Sequence, residues 1–340
     1  MTKGLRCYLS KHILVIGSSL NYNLEYYIVR AFQRLGNYVK FLGYRDILGE
    51  KYHETVRMLW SRSNLFRQFS VPLWLAKLND FFLKSTIAFN PDFILSVKGE
   101  TLLPKYMRRI RNNCDAKMAL WYPDDPRFFS SLTAHIAPYY DIVFTSSRRA
   151  INLYKSISVN NVYRLPFACD PEVHKGTLDP QNLIRRALFI GTYSTKRYSF
   201  IRKLVRLGVP IDIIGPNWPF PFDKYVVGPS TIGSTYTYKI QSYSVILNIH
   251  QNLAYGPNMR TFEVTGSGGA LLSDRAEDIT DFFSEGNDML VYDTLEDAAY
   301  KIKYLIENPD VSFKMSYKGQ KKCYLNNTYD DRVREILKLL

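Results

Sequence analysis

The 340-residue chain is poor in cysteine and histidine and has no long apolar run. Its four cysteines, Cys7, Cys114, Cys169 and Cys323, lie far apart and form no C-x-x-C pair. That spacing argues against a disulfide framework or a zinc site, and for reduced, mostly buried thiols of a cytoplasmic protein. The five histidines show no H-E-x-x-H or paired ligand spacing, so no metal centre is expected. A Walker loop, a G-x-S-x-G elbow and a G-x-G-x-x-G fingerprint are all missing. Their absence argues against P-loop NTPases, α/β-hydrolases and nicotinamide or flavin enzymes. Lys11 and His12 interrupt the N-terminus before Ile13–Ile16, which does not fit a signal peptide, and no apolar stretch is long enough to span a bilayer.

What is present describes a globular protein. Hydrophobic residues make up 46% and charged residues 22%, and the length suggests two domains, each with its own core. Aromatic content is 15%, with 26 Tyr and 20 Phe, most of them expected in the core. The net charge of +14 predicts attraction to anions such as nucleotide phosphates, nucleic acid, anionic lipid or acidic glycan. The basic residues are scattered, and no nucleic-acid-binding signature accompanies them, so no nucleic-acid partner is expected.

Short apolar runs alternate with amphipathic stretches along the whole chain. Strands are predicted at His12–Gly17, Tyr38–Tyr44, Asp92–Val97, Ala116–Tyr122 and Tyr140–Thr145, then at Arg186–Gly191, Pro210–Gly215, Ser244–His250, Ala270–Asp274 and Met289–Asp293. Helical periodicity falls between them, and near-continuous apolar strands mean parallel sheets covered on both faces. The predicted fold class is therefore α/β, with two tandem Rossmann-like, doubly wound domains joined through Asp170–Leu183. Residues 51–89 break the alternation. They hold Trp60, Phe66, Phe69, Trp74, Phe81 and Phe82 among Arg57, Arg62, Arg67, Lys77 and Lys84, with Pro72 splitting them into two helices. Such a segment either packs on the first domain or makes a weak peripheral contact with an anionic membrane; packing is the expectation.

Ligands of doubly wound sheets bind at the carboxyl ends of the strands, and the residues there are the candidates. Gly17-Ser18-Ser19 follows the first strand as either a close-approach turn or a plain strand-to-helix turn. Glu100, and the adjacent Asp124 and Asp125 before Pro126, are carboxylates that can bind or deprotonate a hydroxyl; Asp before Pro is equally a turn initiator. Gly191 and Thr192 lead to a helix whose first turn carries Lys196 and Arg197. Cations there oppose the helix dipole, a conflict that a bound diphosphate removes. The stretch Asn248–Asp274 is the richest. Arg260 and Glu263 share one helix face, Arg260 can hold phosphate and Glu263 can accept from the two hydroxyls of a ribose. The alternative is an intrahelical ion pair worth a few tenths of a kcal/mol. Ser267, Gly268 and Gly269 let the backbone approach a ligand, and His250 can donate to a phosphate or sugar or serve the core.

NMRTFEVTGSGGALLSD and the following DFFSEGNDMLVYDTLEDAAYKIKYLIENPD closely resemble the C-terminal domain of the group 1 glycosyltransferases, and most of all their CgeB-like, spore-maturation-protein branch. WYPDDPRFF, VYRLPFACDPEVH and RALFIGTYSTKR resemble the same branch, so the resemblance covers roughly residues 90–335. It implies the B-type (GT-B) arrangement: an acceptor-side domain over 1–170, a donor domain over 171–328, and a final helix, 329–340, crossing back to the first. It also implies a cytoplasmic enzyme, in places peripheral to the membrane, that moves a sugar from a nucleotide diphosphate, UDP- or GDP-linked, to a glycan, lipid-linked or protein hydroxyl. No cofactor is implied, and the missing D-x-D triplet disfavours a metal-dependent A-type enzyme. On this resemblance the donor would meet Gly191, Thr192, Lys196, Arg197, Asn258, Arg260, Thr261, Glu263 and Gly268, with Glu263 on the ribose. The acceptor would meet Gly17, Ser18 and Glu100, and the catalytic candidates are Asp124, Asp125 and His250. Many group 1 enzymes carry a second Glu where this chain has Gly256, which leaves the grip on the donor sugar and the stereochemistry open. A sugar-nucleotide 2-epimerase of the same fold, or a non-catalytic sugar-binding surface protein, are the alternatives.

Overall fold

The computed structural model describes residues 10–20, 23–48, 64–251 and 255–340. Cys7 and the stretch 51–63, with Arg57, Trp60 and Arg62, lie outside the described residues, and nothing of the side chains of Phe66, Arg67 and Phe69 is described. Contacts divide the chain into two compact units, Met1–Pro166 with Val333–Leu340, and Phe167–Arg332.

The first unit is built on six parallel strands: β1 (His12–Gly17), β2 (Tyr38–Gly43), β3 (Phe93–Val97), β4 (Lys117–Tyr122), β5 (Ile142–Thr145) and β6 (Val162–Arg164). Their order is β2-β1-β3-β4-β5-β6. Chain order reverses about β1, so the switch point lies between β1 and β3, where Gly17 and Lys98–Glu100 emerge. The apolar runs form strands because both faces are covered: Ile13, Leu14, Val15, Ile94 and Leu95 have no exposed surface.

The second unit repeats the design with β7 (Ile184–Ile190), β8 (Ile211–Ile214), β9 (Val226–Gly228), β10 (Tyr243–Asn248), β11 (Leu271–Asp274) and β12 (Leu290–Tyr292), ordered β12-β11-β10-β7-β8-β9. Its switch point lies between β7 and β10. Phe189, Ile211, Val245 and Leu247 fill one face of this sheet, and Leu188, Ile246, Phe262 and Leu271 fill the other.

Three expectations change. Pro72 does not divide its segment: one helix runs Asn64–Phe89 through it. Proline inside a helix costs about 3 kcal/mol. Burial of Leu78, Phe82 and Leu83 offsets this, as does Asn79, whose side chain bonds Thr101 O at 2.7 Å and Leu103 N at 2.9 Å. Tyr44 opens a short helix, Tyr44–Leu48, instead of closing β2. The edge strands β6 and β9, three residues each, were not expected from their sequences.

Candidate functional site

The turn after β7 and the end of β10 meet at the switch point of the second unit. Gly215, at the end of β8, adopts φ of 146° and lies so close to Gly191 that an added Cβ would sit 2.3 Å from Gly191 O. Trp218 Nε1 donates to the same oxygen at 3.1 Å. Gly191 is thereby fixed, and Ser194 caps the next helix, Thr195–Arg206, by accepting from Arg197 N.

Lys196 and Arg197 leave this helix start and cross to β10. Lys196 Nζ donates to His250 O at 2.7 Å and lies 3.6 Å from Asp274 Oδ2. Arg197 donates through Nε and Nη2 to Ile249 O, at 3.2 and 3.1 Å, and through Nη1 to Thr192 O at 3.1 Å. A guanidinium has five N–H donors, so two of Arg197's remain without a partner among the described residues. Burial lowers the Arg197 pKa, and repulsion from Arg260 lowers it further, against the pull of Asp274. Two cations that repel each other at a strand end define a place for an anion.

Asp274 closes β11 and organises His250. The His250 backbone N–H reaches both carboxylate oxygens at 3.0 Å, and Nδ1 lies 2.6 Å from Oδ1. Burial alone would raise the Asp274 pKa; the His250 contacts and Lys196 outweigh it and hold the carboxyl below its ordinary range. With Nδ1 held by the carboxylate, Nε2 is the ring nitrogen left for another partner. It is buried and has no hydrogen-bond partner among the described residues.

The helix Met259–Gly266 starts beside this group. Asn258 caps it by accepting from Thr261 N at 3.1 Å and is locked to Asn248 by reciprocal amide bonds of 3.2 and 3.1 Å. Thr261 is fully buried and its hydroxyl also bonds Asn258 Oδ1. Asn258 and Thr261 therefore shape the helix start, whose dipole favours an anion. Arg260 lies over the Tyr236 ring, 5.1 Å from its centroid, and Nη1 donates to the Tyr236 hydroxyl at 2.7 Å. That hydroxyl donates to Glu263 Oε2 at 3.0 Å, so a tyrosine links Arg260 to Glu263. Glu263 is 5% exposed, and its Oε1 lies 3.9 Å from His174 Nε2. His174 accepts from Asp170 N at Nδ1, and burial lowers its pKa, so it faces Glu263 as neutral imidazole rather than as an ion-pair partner.

Gly268 is not brought to this group. It lies past the far end of the eight-residue helix, about 12 Å from its start by helix rise. There, at φ of 74°, it packs on Gly176 O, so its close approach is to backbone. Tyr236, His174 and Asp274 were missed as site residues because their partners stand 27, 89 and 24 positions away along the chain. Only the Arg260–Glu263 spacing signalled a shared face, and nothing local marked the tyrosine between them.

In the first unit, Gly17, Ser18 and Glu100 line one small pocket with Glu25, Tyr44 and Lys98. Glu25 Oε1 accepts from Ser18 N and Ser18 Oγ, both at 2.9 Å, and Tyr122 OH donates to Glu100 Oε1 at 3.3 Å. Asp124 pairs with Lys98 Nζ at 2.7 Å. Burial would lower the Lys98 pKa, but Asp124, Glu100 and Glu25 together raise it. Asp125 points the other way. Its Oδ2 accepts from Thr133 Oγ1 at 2.8 Å and from Tyr154 OH, and burial pushes its pKa up to about 6 although both hydrogen bonds oppose it. Asp125 braces the interior of the unit, and Asp124 is the member of the pair on the pocket side.

Residues 196–338 match the family model described as glycosyl transferase-like. A search of curated protein sequences finds no match. Among solved structures, a glycosyltransferase from Rickettsia africae ESF-5 aligns with a TM-score of 0.65 at 11% identity, over 98% of each chain. Anabaena Alr3699/HepE in complex with UDP and glucose aligns with a TM-score of 0.65 at 11% identity, over 97% of this chain and 100% of that one. Sucrose-phosphate synthase from Thermosynechococcus elongatus gives 0.66 at 10% identity, over 97% and 98%. At such identities the likeness establishes the fold: the two-sheet α/β architecture of the B-type glycosyltransferases.

Proposed function

We propose that this protein is a glycosyltransferase that takes a sugar from a nucleoside diphosphate held on its second unit. The observation that carries this reading is the anchoring of Lys196 and Arg197 on the carbonyls that follow β10, with Arg260 near enough to repel Arg197, beside a helix N-terminus and a His250 Nε2 that has no hydrogen-bond partner among the described residues. The glycosyl transferase-like segment spans the same residues.

In this mechanism the acceptor hydroxyl oxygen attacks the anomeric carbon as its proton passes to the Asp124 carboxylate. The bond from that carbon to the β-phosphate oxygen breaks, and the diphosphate leaves with its electron pair. Arg197, Arg260 and Lys196, with the helix dipole, offset the charge that develops on it, a role assigned here to protein cations without a metal ion. His250, its Nδ1 held by Asp274, offers Nε2 for a hydrogen bond with the phosphate or sugar of the donor. Glu263 accepts from the ribose hydroxyls. UDP is the first carrier to test, as it is the nucleotide in the Anabaena complex, with GDP second. Gly17, Ser18, Glu100 and Asp124 are assigned to the acceptor, a glycan, lipid-linked or protein hydroxyl.

A thermal-shift panel of nucleoside diphosphates and nucleotide sugars tests the donor site, because a ligand specific to the native state raises Tm by mass action. Release of nucleoside diphosphate that depends on an added acceptor then tests transfer. No shift with any nucleotide sugar would overturn the assignment, and acceptor-independent turnover would replace transfer with epimerisation.

A further inference from the structure

The helix Pro309–Asn326 carries two stripes offset by two residues. Ser312, Met315, Ser316, Gly319, Gln320 and Cys323 are buried and repeat at i, i+3, i+4, i+7, i+8 and i+11. Lys314, Tyr317, Lys318, Lys321, Lys322 and Leu325 repeat at the same intervals and are exposed. The buried stripe explains why the helix forms and packs on the second unit. It does not explain the outer one, which holds four lysines and no acidic residue.

A solvated helix face ordinarily mixes charges of both signs. None of these four lysines has a carboxylate partner among the described residues. Lys318 Nζ donates to Asn287 Oδ1 at 2.6 Å, and Lys321 Nζ lies 4.5 Å from the Tyr317 ring centroid. Asp288 does not neutralise the patch, because it is buried and takes hydrogen bonds from Ser284 N and Asn287 Nδ2. Lys318, Lys321 and Lys322 line an open groove of about 570 Å³ with Leu325, which is 68% exposed. Lysine stems and the leucine side chain make its walls largely hydrocarbon, with the ammonium groups at the rim.

We propose that this face docks on an anionic lipid bilayer. Charge complementarity selects an anionic partner. The interleaved Tyr317 and Leu325 select one that also offers hydrocarbon, which a bilayer interface does. The stripe contains lysine and no arginine, and mobile point charges suit a diffuse array of lipid phosphates better than a fixed carboxylate or phosphate.

The test is co-sedimentation of the full chain with phosphatidylcholine vesicles, with and without phosphatidylglycerol. Binding is expected only to the phosphatidylglycerol vesicles, and it should fall as salt screens the lysines. A Lys318→Gln/Lys321→Gln/Lys322→Gln variant should lose about fivefold in partitioning for each lysine, with its melting temperature unchanged. Leu325→Ala should weaken binding and leave its salt dependence as it was. Equal binding of the wild type to both vesicles, binding to neither, or wild-type binding by the triple variant would each overturn the proposal. The last result would move any membrane contact elsewhere on the chain.

Discussion

Replacing Arg260 with alanine should weaken nucleoside diphosphate binding far more than it weakens the fold. A hydrogen bond to a charged group contributes roughly 1.5–3 kcal/mol, so losing an arginine–phosphate contact should raise Kd by about 10–100-fold. Among the described contacts the free protein loses a hydrogen bond to Tyr236 and a cation–π contact, each worth about 1 kcal/mol. It also gains, because Arg260 repels Arg197. Tyr236 keeps its bond to Glu263, so no buried hydroxyl is orphaned. The net stability change should stay within about 1 kcal/mol, or roughly 2–4 °C in Tm for a unit of this size. Calorimetric titration with UDP at two salt concentrations measures the first quantity and thermal unfolding the second. Arg260→Lys should fall between, since it keeps the charge and loses the fork. A wild-type Kd in the folded alanine variant would refute the site, and a Tm loss of tens of degrees would make Arg260 a structural residue.

Asp125 should make the first unit less stable as pH rises. Its pKa of about 6 lies above the ~3.9 of an unfolded chain, so the native state holds the proton more tightly. This contribution is complete below about pH 4 and is lost by about pH 6, amounting to about 3 kcal/mol. Asp125→Asn should flatten urea-unfolding stability across that window; an unchanged slope would show that another group titrates there. Gly215→Ala should lower Tm by roughly 5–10 °C, since the new Cβ meets Gly191 O and the backbone has positive φ. Retention of wild-type Tm and nucleotide affinity would show that the two turns have room to separate.

The architecture was legible because buried parallel strands announce themselves as apolar runs. The interior strands were found to within a residue or two, and only β6 and β9 escaped, with three residues apiece. The site was half legible. Lys196 and Arg197 drew attention because two cations at a helix start conflict with its dipole, and they do turn away from that helix toward β10. Their acceptors could not be read, because Ile249 and His250 present backbone carbonyls, which leave no mark on the sequence. Gly268 and Gly269 were read as letting the backbone approach a ligand, whereas the room they leave is taken by Gly176 O and by Ile240 and Val264. The paired aspartates looked equivalent, and only the fold shows that Asp124 meets Lys98 while Asp125 turns inward.

Glu263 offers the sharpest separation of structural from functional roles. A buried carboxylate is expensive unless donors meet it, and here Tyr236 and the neutral His174 face its two oxygens. If structure alone required it, glutamine would serve, because one amide oxygen still accepts from Tyr236. If Glu263 receives a ribose diol, glutamine fails, because it leaves one acceptor where two hydroxyls donate. Glu263→Gln should therefore lower Tm by no more than roughly 2–4 °C, the cost of turning an amide toward His174 Nε2 at 3.9 Å, while raising the Kd for UDP by about tenfold, one charge-assisted hydrogen bond. Inorganic pyrophosphate lacks the ribose and should bind both proteins alike. Equal weakening of pyrophosphate would mean that Glu263 acts through Tyr236 on Arg260, and unchanged UDP affinity would remove it from the donor site.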